Sequence, residues 1–229
     1  MDAAMTWLFD PPAPVALPVA GRNEAFPVRR ILCVGQNYAA HAREMGADPA
    51  REAPFFFSKP RDALVTAATV PYPGATADLH HEVELVCAIG AAGSDLDARS
   101  AESLIVGWAV GVDLTRRDLQ AAAKSKGRPW DAAKGFDHSA PCGALTLGAP
   151  PRPDAAMSLA VNGQVRQSAR LDQMIWSPAE VVVEASRLWR LLPGDLIFTG
   201  TPEGVGPVVR GDRVEAVIEG LEPLSFTLT

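Results

Sequence analysis

Between residues 81 and 89, apolar Val83, Leu85, Cys87 and Ile89 alternate with Glu82, Glu84, Val86 and Ala88, the period of two that marks a β-strand. Glu82 and Glu84 therefore project from one face. The run 104–112 is almost wholly apolar and reads as a second, buried strand that ends at Asp113. Further strands are predicted at 28–35, 55–58, 196–199, 213–218 and 224–228. Asn162-Gly163, between 157–161 and 164–167, is a strong hairpin signal. Helical patterning is sparser. A short helix is predicted over 37–46, another opens near Thr115 and Asp118 and stops at Gly127-Arg128-Pro129, and Ser177-Pro178-Ala179-Glu180 starts a third with an N-cap Ser, Pro at the first position and Glu at N3. Short strands outnumber helices and do not alternate with them, so the expected fold is mixed α/β, mainly β, and not doubly wound.

Composition sharpens this. The chain has 229 residues, 48% of them apolar, enough for one well-filled core. The body is expected over 26–229, after an extended, Pro- and Ala-containing arm at 1–25. With 27 acidic against 21 basic residues the net charge is −6, which argues against nucleic acid as a partner. The longest apolar stretch is about half of the roughly 20 residues that a spanning helix needs, and the N-terminus lacks a basic, apolar leader. A cytoplasmic protein without a membrane partner is expected. Cys33, Cys87 and Cys142 lie far apart in apolar surroundings and read as small core residues.

Two carboxylates on an otherwise apolar strand repel one another and lose hydration. A solvated strand face would alternate in the same way. Asp113, however, emerges at the rim of a buried strand, and three oxygen ligands without His or Cys would suit Mg²⁺ or Mn²⁺. His41 and Glu44 share a helix face at i, i+3; the spacing suits a general base and is also common on surfaces. Lys59 and Lys134 each stand alone in apolar segments, either snorkelling to solvent or facing an oxyanion or carboxylate. The loop 200–206 lacks the Walker and Rossmann spacings. Its backbone N–H groups and the Thr201 hydroxyl suit a small carboxylate.

In order along the chain, Val34-Gly35-Gln36-Asn37-Tyr38 with His41 and Glu44, Phe57-Ser58-Lys59-Pro60, His80-His81-Glu82-Val83-Glu84, Gly111-Val112-Asp113, Ala133-Lys134-Gly135-Phe136-Asp137 and Gly200-Thr201-Pro202-Glu203-Gly204 resemble the fumarylacetoacetate hydrolase family, in its short single-domain branch. The resemblance implies a β-roll-like sheet fold with few short helices, usually a homodimer, and one divalent cation, Mg²⁺ or Mn²⁺, held by Glu82, Glu84 and Asp113. It also implies a lid bearing His41 and Glu44, over about 37–50, and an active-site lysine at Lys134. Lys59, Arg117, Gln120 and Thr201 match substrate-side positions. Gln36 stands where relatives often carry Arg, and Gly135 where Ser is frequent.

The prolines near the start and Ala42-Arg43-Glu44-Met45-Gly46 are most similar to the bacterial fumarylpyruvate hydrolases of aromatic catabolism. The expected activity is metal-dependent cleavage of the C–C bond of a small 2-oxo acid, fumarylpyruvate, to fumarate and pyruvate. Oxaloacetate decarboxylation, hydrolysis of another acylpyruvate and isomerisation of an unsaturated oxo acid would use the same chelate. A metal-stabilised binding protein is the non-enzymatic alternative.

Overall fold

The alternating segment becomes the centre of a six-stranded mixed sheet in the computed structural model, which describes residues 6–44 and 52–229. In spatial order the strands are Thr146–Leu147, Ile105–Val112, Val83–Ile89, Asp195–Phe198, Arg30–Gly35 and Phe55–Lys59. Asp195–Phe198 runs parallel to Arg30–Gly35 and antiparallel to Val83–Ile89. Every residue of Val83–Ile89 is buried, because both faces of the sheet are covered. Leu85 and Cys87 join a large cluster with Val110, Leu159, Val214 and Phe226. Val86 and Ala88 face a smaller cluster with Ile31, Cys33, Ala109 and Phe198.

The larger cluster is closed by a five-stranded sheet of Gln164–Arg170, Ala156–Val161, Arg213–Ile218, Leu224–Leu228 and Thr69–Val70. Its first two strands are the expected hairpin, with Asn162 and Gly163 at φ 51° and 76°, the left-handed pair that a tight two-residue turn requires. The helix Pro178–Leu188 opens with the expected reciprocal cap: Ser177 Oγ accepts from Glu180 N and a Glu180 oxygen accepts from Ser177 N. The mainly β fold with few short helices is thus as expected, and among the described residues no helix is long and apolar enough to cross a membrane.

Several boundaries differ from the sequence expectation. The single strand expected over 81–89 breaks at Glu82: Leu79–His81 belongs to a three-stranded ribbon with Thr115–Arg116 and Gly206–Val208. At the break, Val83 N donates to the Gln167 side chain at 3.0 Å, and Asp113 N to the Glu82 carbonyl at 2.8 Å. The buried strand starts at Ile105, since Leu104 closes a helix, Ala98–Leu104, capped by Asp97 accepting from Ser100 N. The helix expected from Thr115 begins at Arg117 without a side-chain cap, Thr115 being held in the ribbon opposite His80. Within the N-terminal stretch, Ala16–Pro18 pairs with Ala25–Pro27 and Leu17 is fully buried, which ties that part of the expected arm to the body. Of the expected helix over 37–46, Ala39–Glu44 is observed; residues 45–50, the last part of the expected lid, lie outside the described residues.

Candidate metal centre and active site

The break at Glu82 and the end of the strand Ile105–Val112 bring three carboxylates together. Glu82, Glu84 and Asp113 are all buried, and one oxygen of each lies within 4.8 Å of the others. Glu82 Oε2 and Asp113 Oδ2 each accept from Lys134 Nζ at 2.7 Å, and Glu82 Oε1 accepts from Arg117 at 2.6 Å. Glu84 forms no ion pair among the described residues. Its Oε2 accepts from Gly200 N at 2.7 Å.

The charges follow this geometry. Burial would raise the Glu82 carboxyl, but Lys134 and Arg117 hold it well below the usual range. Burial, with Asp113 and Glu82 beside it, pushes the Glu84 carboxyl well above its usual range. Lys134 is driven above the usual lysine range because Asp113 and Glu82 outweigh its own desolvation. Positive charge is therefore short at Glu84. Asp113 Oδ1 is buried without a hydrogen-bond partner, although Lys59 Nζ stands 2.7 Å away, out of line. An all-oxygen cluster with an unspent acceptor and a carboxylate lacking a counter-charge fits a hard divalent cation.

Glu82, Glu84, Lys134, Arg117, Gln120, Thr201 and His41 line one cleft of about 350 Å³, its open mouth included. His41 is buried, with Nδ1 3.2 Å from Glu44 Oε2. Gly204 N donates to the other Glu44 oxygen at 3.3 Å. Gly204 sits at φ 87°, and an added Cβ would lie 2.2 Å from the Arg166 carbonyl oxygen, so no other residue fits there. Arg117 is fixed on three sides, by Glu82, by Gln120 at 2.5 Å and by His80. The Thr201 oxygen accepts from Gln167 at 2.8 Å, which leaves its own O–H to donate.

Lys59 and Lys134 are not snorkelling groups; both are buried. Lys59, which the resemblance placed on the substrate side, turns away from the cleft. Its ammonium stands against Asp113 and donates to the carbonyls of Leu114 and Lys134, so its charge and two of its three N–H groups are held within the protein. The cysteines are all buried free thiols, pushed up by desolvation.

Two framework residues escape the sequence pattern. Gln167 accepts from His81 and Val83 N and donates to Thr201 and to the Pro202 carbonyl. It thereby fixes the strand break and the loop after Thr199 at once. Its signal was faint, a polar residue in phase with Val165 and Ala169 on a hairpin whose register shifts between Leu159 and Ala160. Asn37 similarly joins the carbonyls of Trp176 and Thr199 to Trp176 N. Gly200 comes so near that a Cβ there would lie 2.7 Å from Asn37 Cβ.

The family model of the fumarylacetoacetate hydrolase C-terminal region matches residues 30–229. A fumarylpyruvate hydrolase of a Ralstonia species is 43% identical over 183 residues, covering 79% of this chain and 95% of the relative. A mitochondrial oxaloacetate tautomerase of Arabidopsis thaliana is 42% identical, covering 86% of this chain and 89% of the relative. The crystal structure of a Pseudomonas aeruginosa fumarylpyruvate hydrolase in complex with Mn²⁺ and pyruvate superposes with a TM-score of 0.94 at 52% identity, covering 98% of this chain and 99% of that one. This chain belongs to the fumarylacetoacetate hydrolase family.

Proposed function

We propose that the chain hydrolyses the C–C bond of a 2,4-dioxo acid, fumarylpyruvate, to fumarate and pyruvate in the breakdown of aromatic compounds. In this reading 26–229 is the catalytic domain, and the protein works as a cytoplasmic homodimer with Mg²⁺ or Mn²⁺ at Glu82, Glu84 and Asp113. The observation that carries it is the meeting of three buried carboxylates with His41, Glu44 and Lys134 around one cleft. The likeness to a hydrolase that holds Mn²⁺ and pyruvate supports the substrate class.

A divalent cation in such a site supplies a Lewis acid for the 2-oxo carboxylate end of the substrate and draws electrons from the bond that breaks. The protein's own groups do the rest. With Nδ1 turned to Glu44, His41 keeps Nε2 as a proton acceptor and takes a proton from water, whose oxygen adds to the distal carbonyl. The C–C bond then breaks with its electron pair on the pyruvate side. The proton held by His41 passes to that carbon, which becomes the methyl group, while the acyl carbon keeps the oxygen of water as a new carboxylate. Lys134 spends two N–H groups on Glu82 and Asp113 and has a third for the oxygen that gains charge. Arg117, Gln120 and the Thr201 hydroxyl hold the substrate; Lys59 serves it through Asp113 and the backbone of Lys134.

The test is product analysis with fumarylpyruvate, acetylpyruvate and oxaloacetate, with Mg²⁺ or Mn²⁺ and after chelation. Equimolar fumarate and pyruvate, lost on chelation and restored by either metal, are expected. No cleavage of either dioxo acid, with only the keto and enol forms of oxaloacetate interconverting, would overturn hydrolysis in favour of the proton-transfer chemistry named for the Arabidopsis relative.

A further inference from the structure

We infer that Lys124, standing over Trp130 at the mouth of the cleft, binds the second carboxylate of the substrate, at the end of the acyl group remote from the bond that is cleaved. The inference rests on the hydrolysis proposed above and identifies what would select an acyl group that ends in an anion.

Arg117, Gln120 and Lys124 lie at i, i+3 and i+7 on the helix Arg117–Ser125, hence on one face, and all three line the cleft. The other cations of the site are committed: Arg117 and Lys134 to Glu82, Lys134 and Lys59 to Asp113. Lys124 makes no ion pair with a carboxylate among the described residues. Its ammonium instead lies 5.1 Å from the Trp130 ring centroid, an attraction that leaves its charge open to an anion. Partial desolvation, with Arg117 and then Lys134 nearby, draws this lysine below its usual range despite the pull of Glu82. A bound carboxylate would relieve that repulsion.

The wall beneath Lys124 suits the rest of the acyl group. Trp130 meets Phe55 edge to face at 5.4 Å and Phe57 at 5.9 Å, and all three rings line the cleft. Such a surface takes a flat, conjugated chain. Six bonds separate the two carboxylate carbons of fumarylpyruvate, about 7.6 Å at roughly 3.8 Å per three extended bonds, which carries the second carboxylate well away from the end held at the three acidic residues.

The experiment compares metal-loaded wild type, Lys124→Gln and Lys124→Arg on fumarylpyruvate and on acetylpyruvate, which has the same scissile bond and a methyl group in place of the second carboxylate. Calorimetry with fumarate and with pyruvate gives binding independently of turnover. Lys124→Gln should raise KM for fumarylpyruvate by about tenfold or more, the scale of one charge-assisted hydrogen bond, with little change in kcat. It should weaken fumarate in parallel and leave acetylpyruvate and pyruvate unaffected, and Lys124→Arg should recover most of the loss. Equal losses on both substrates, or no loss of fumarate affinity, would overturn the inference. Failure of wild type to cleave fumarylpyruvate would instead refute the proposed function, and the fumarate titrations would still decide on Lys124.

Discussion

Replacing Lys59 by Met tests how the buried charges are balanced. The substitution keeps an unbranched side chain one atom shorter and removes the ammonium that stands 2.7 Å from Asp113 Oδ1 and donates to the Leu114 carbonyl at 3.1 Å. The Lys134 carbonyl keeps a donor, Ser139 Oγ at 2.9 Å; the Leu114 carbonyl loses its lysine donor. Removing one partner of a buried ion pair costs about 3–5 kcal/mol. Asp113 retains Lys134 at 2.7 Å, which favours the lower part of that range, and the lost donor at Leu114 adds to it. For a chain of this size about 1 kcal/mol moves Tm by roughly 2–4 °C, so a fall of about 6–20 °C is expected. Unfolding should be followed by circular dichroism on chelated protein, so that no added cation offsets the lost lysine. The double variant Lys59→Met/Asp113→Asn should regain much of the loss, because the stranded carboxylate is gone. A loss below about 1 kcal/mol, or a double variant as unstable as the two single changes combined, would refute the reasoning.

Glu84→Gln should keep the fold and lose Mn²⁺ affinity by about 100-fold or more in calorimetry, the upper end of what disturbing a metal shell costs; unchanged affinity would remove Glu84 from the ligand set. His41→Ala and Glu44→Gln should each slow fumarylpyruvate hydrolysis by about 10²-fold or more and oxaloacetate decarboxylation by less, in steady-state assays on both substrates. A parallel fall in both reactions would assign the pair to substrate placement. Gly200→Ala should lower stability by about 1–3 kcal/mol in urea titration, since φ is 98° and the new methyl group meets Asn37.

The parts of this molecule that could be read from sequence are those whose cause is local. Asn162-Gly163 forms its turn because two adjacent residues must take positive φ, and Ser177 with Glu180 caps its helix through atoms three residues apart. Glu82 and Glu84 share a face because a strand alternates. The rest depends on contacts between distant segments. Periodicity did not show the break at Glu82, which is held by Gln167 from another sheet. Lys59 and Lys134 fitted either a surface position or a carboxylate partner, and only the fold decides, by setting Asp113 and Glu82 against them. Helix Ala98–Leu104 was hidden because its apolar end runs straight into a buried strand. The family resemblance supplied what patterning lacked, by bringing these scattered residues to one site, though it assigned Lys59 to the substrate where the structure turns it inward.

Gln167 also ties the shape of the cleft to contacts between distant segments. Its backbone belongs to the hairpin Gln164–Arg170, whereas its amide completes the hydrogen bonding of His81 and Val83, some 85 positions earlier, and of Thr201 and Pro202 more than 30 positions later. Closing loops of that length is the slow part of assembling a β-rich chain. Each sheet can form its own ladder beforehand, but the cleft has no fixed shape until the two dock. During refolding, catalytic competence should therefore return with the slowest docking phase, after most of the strand signal has already recovered.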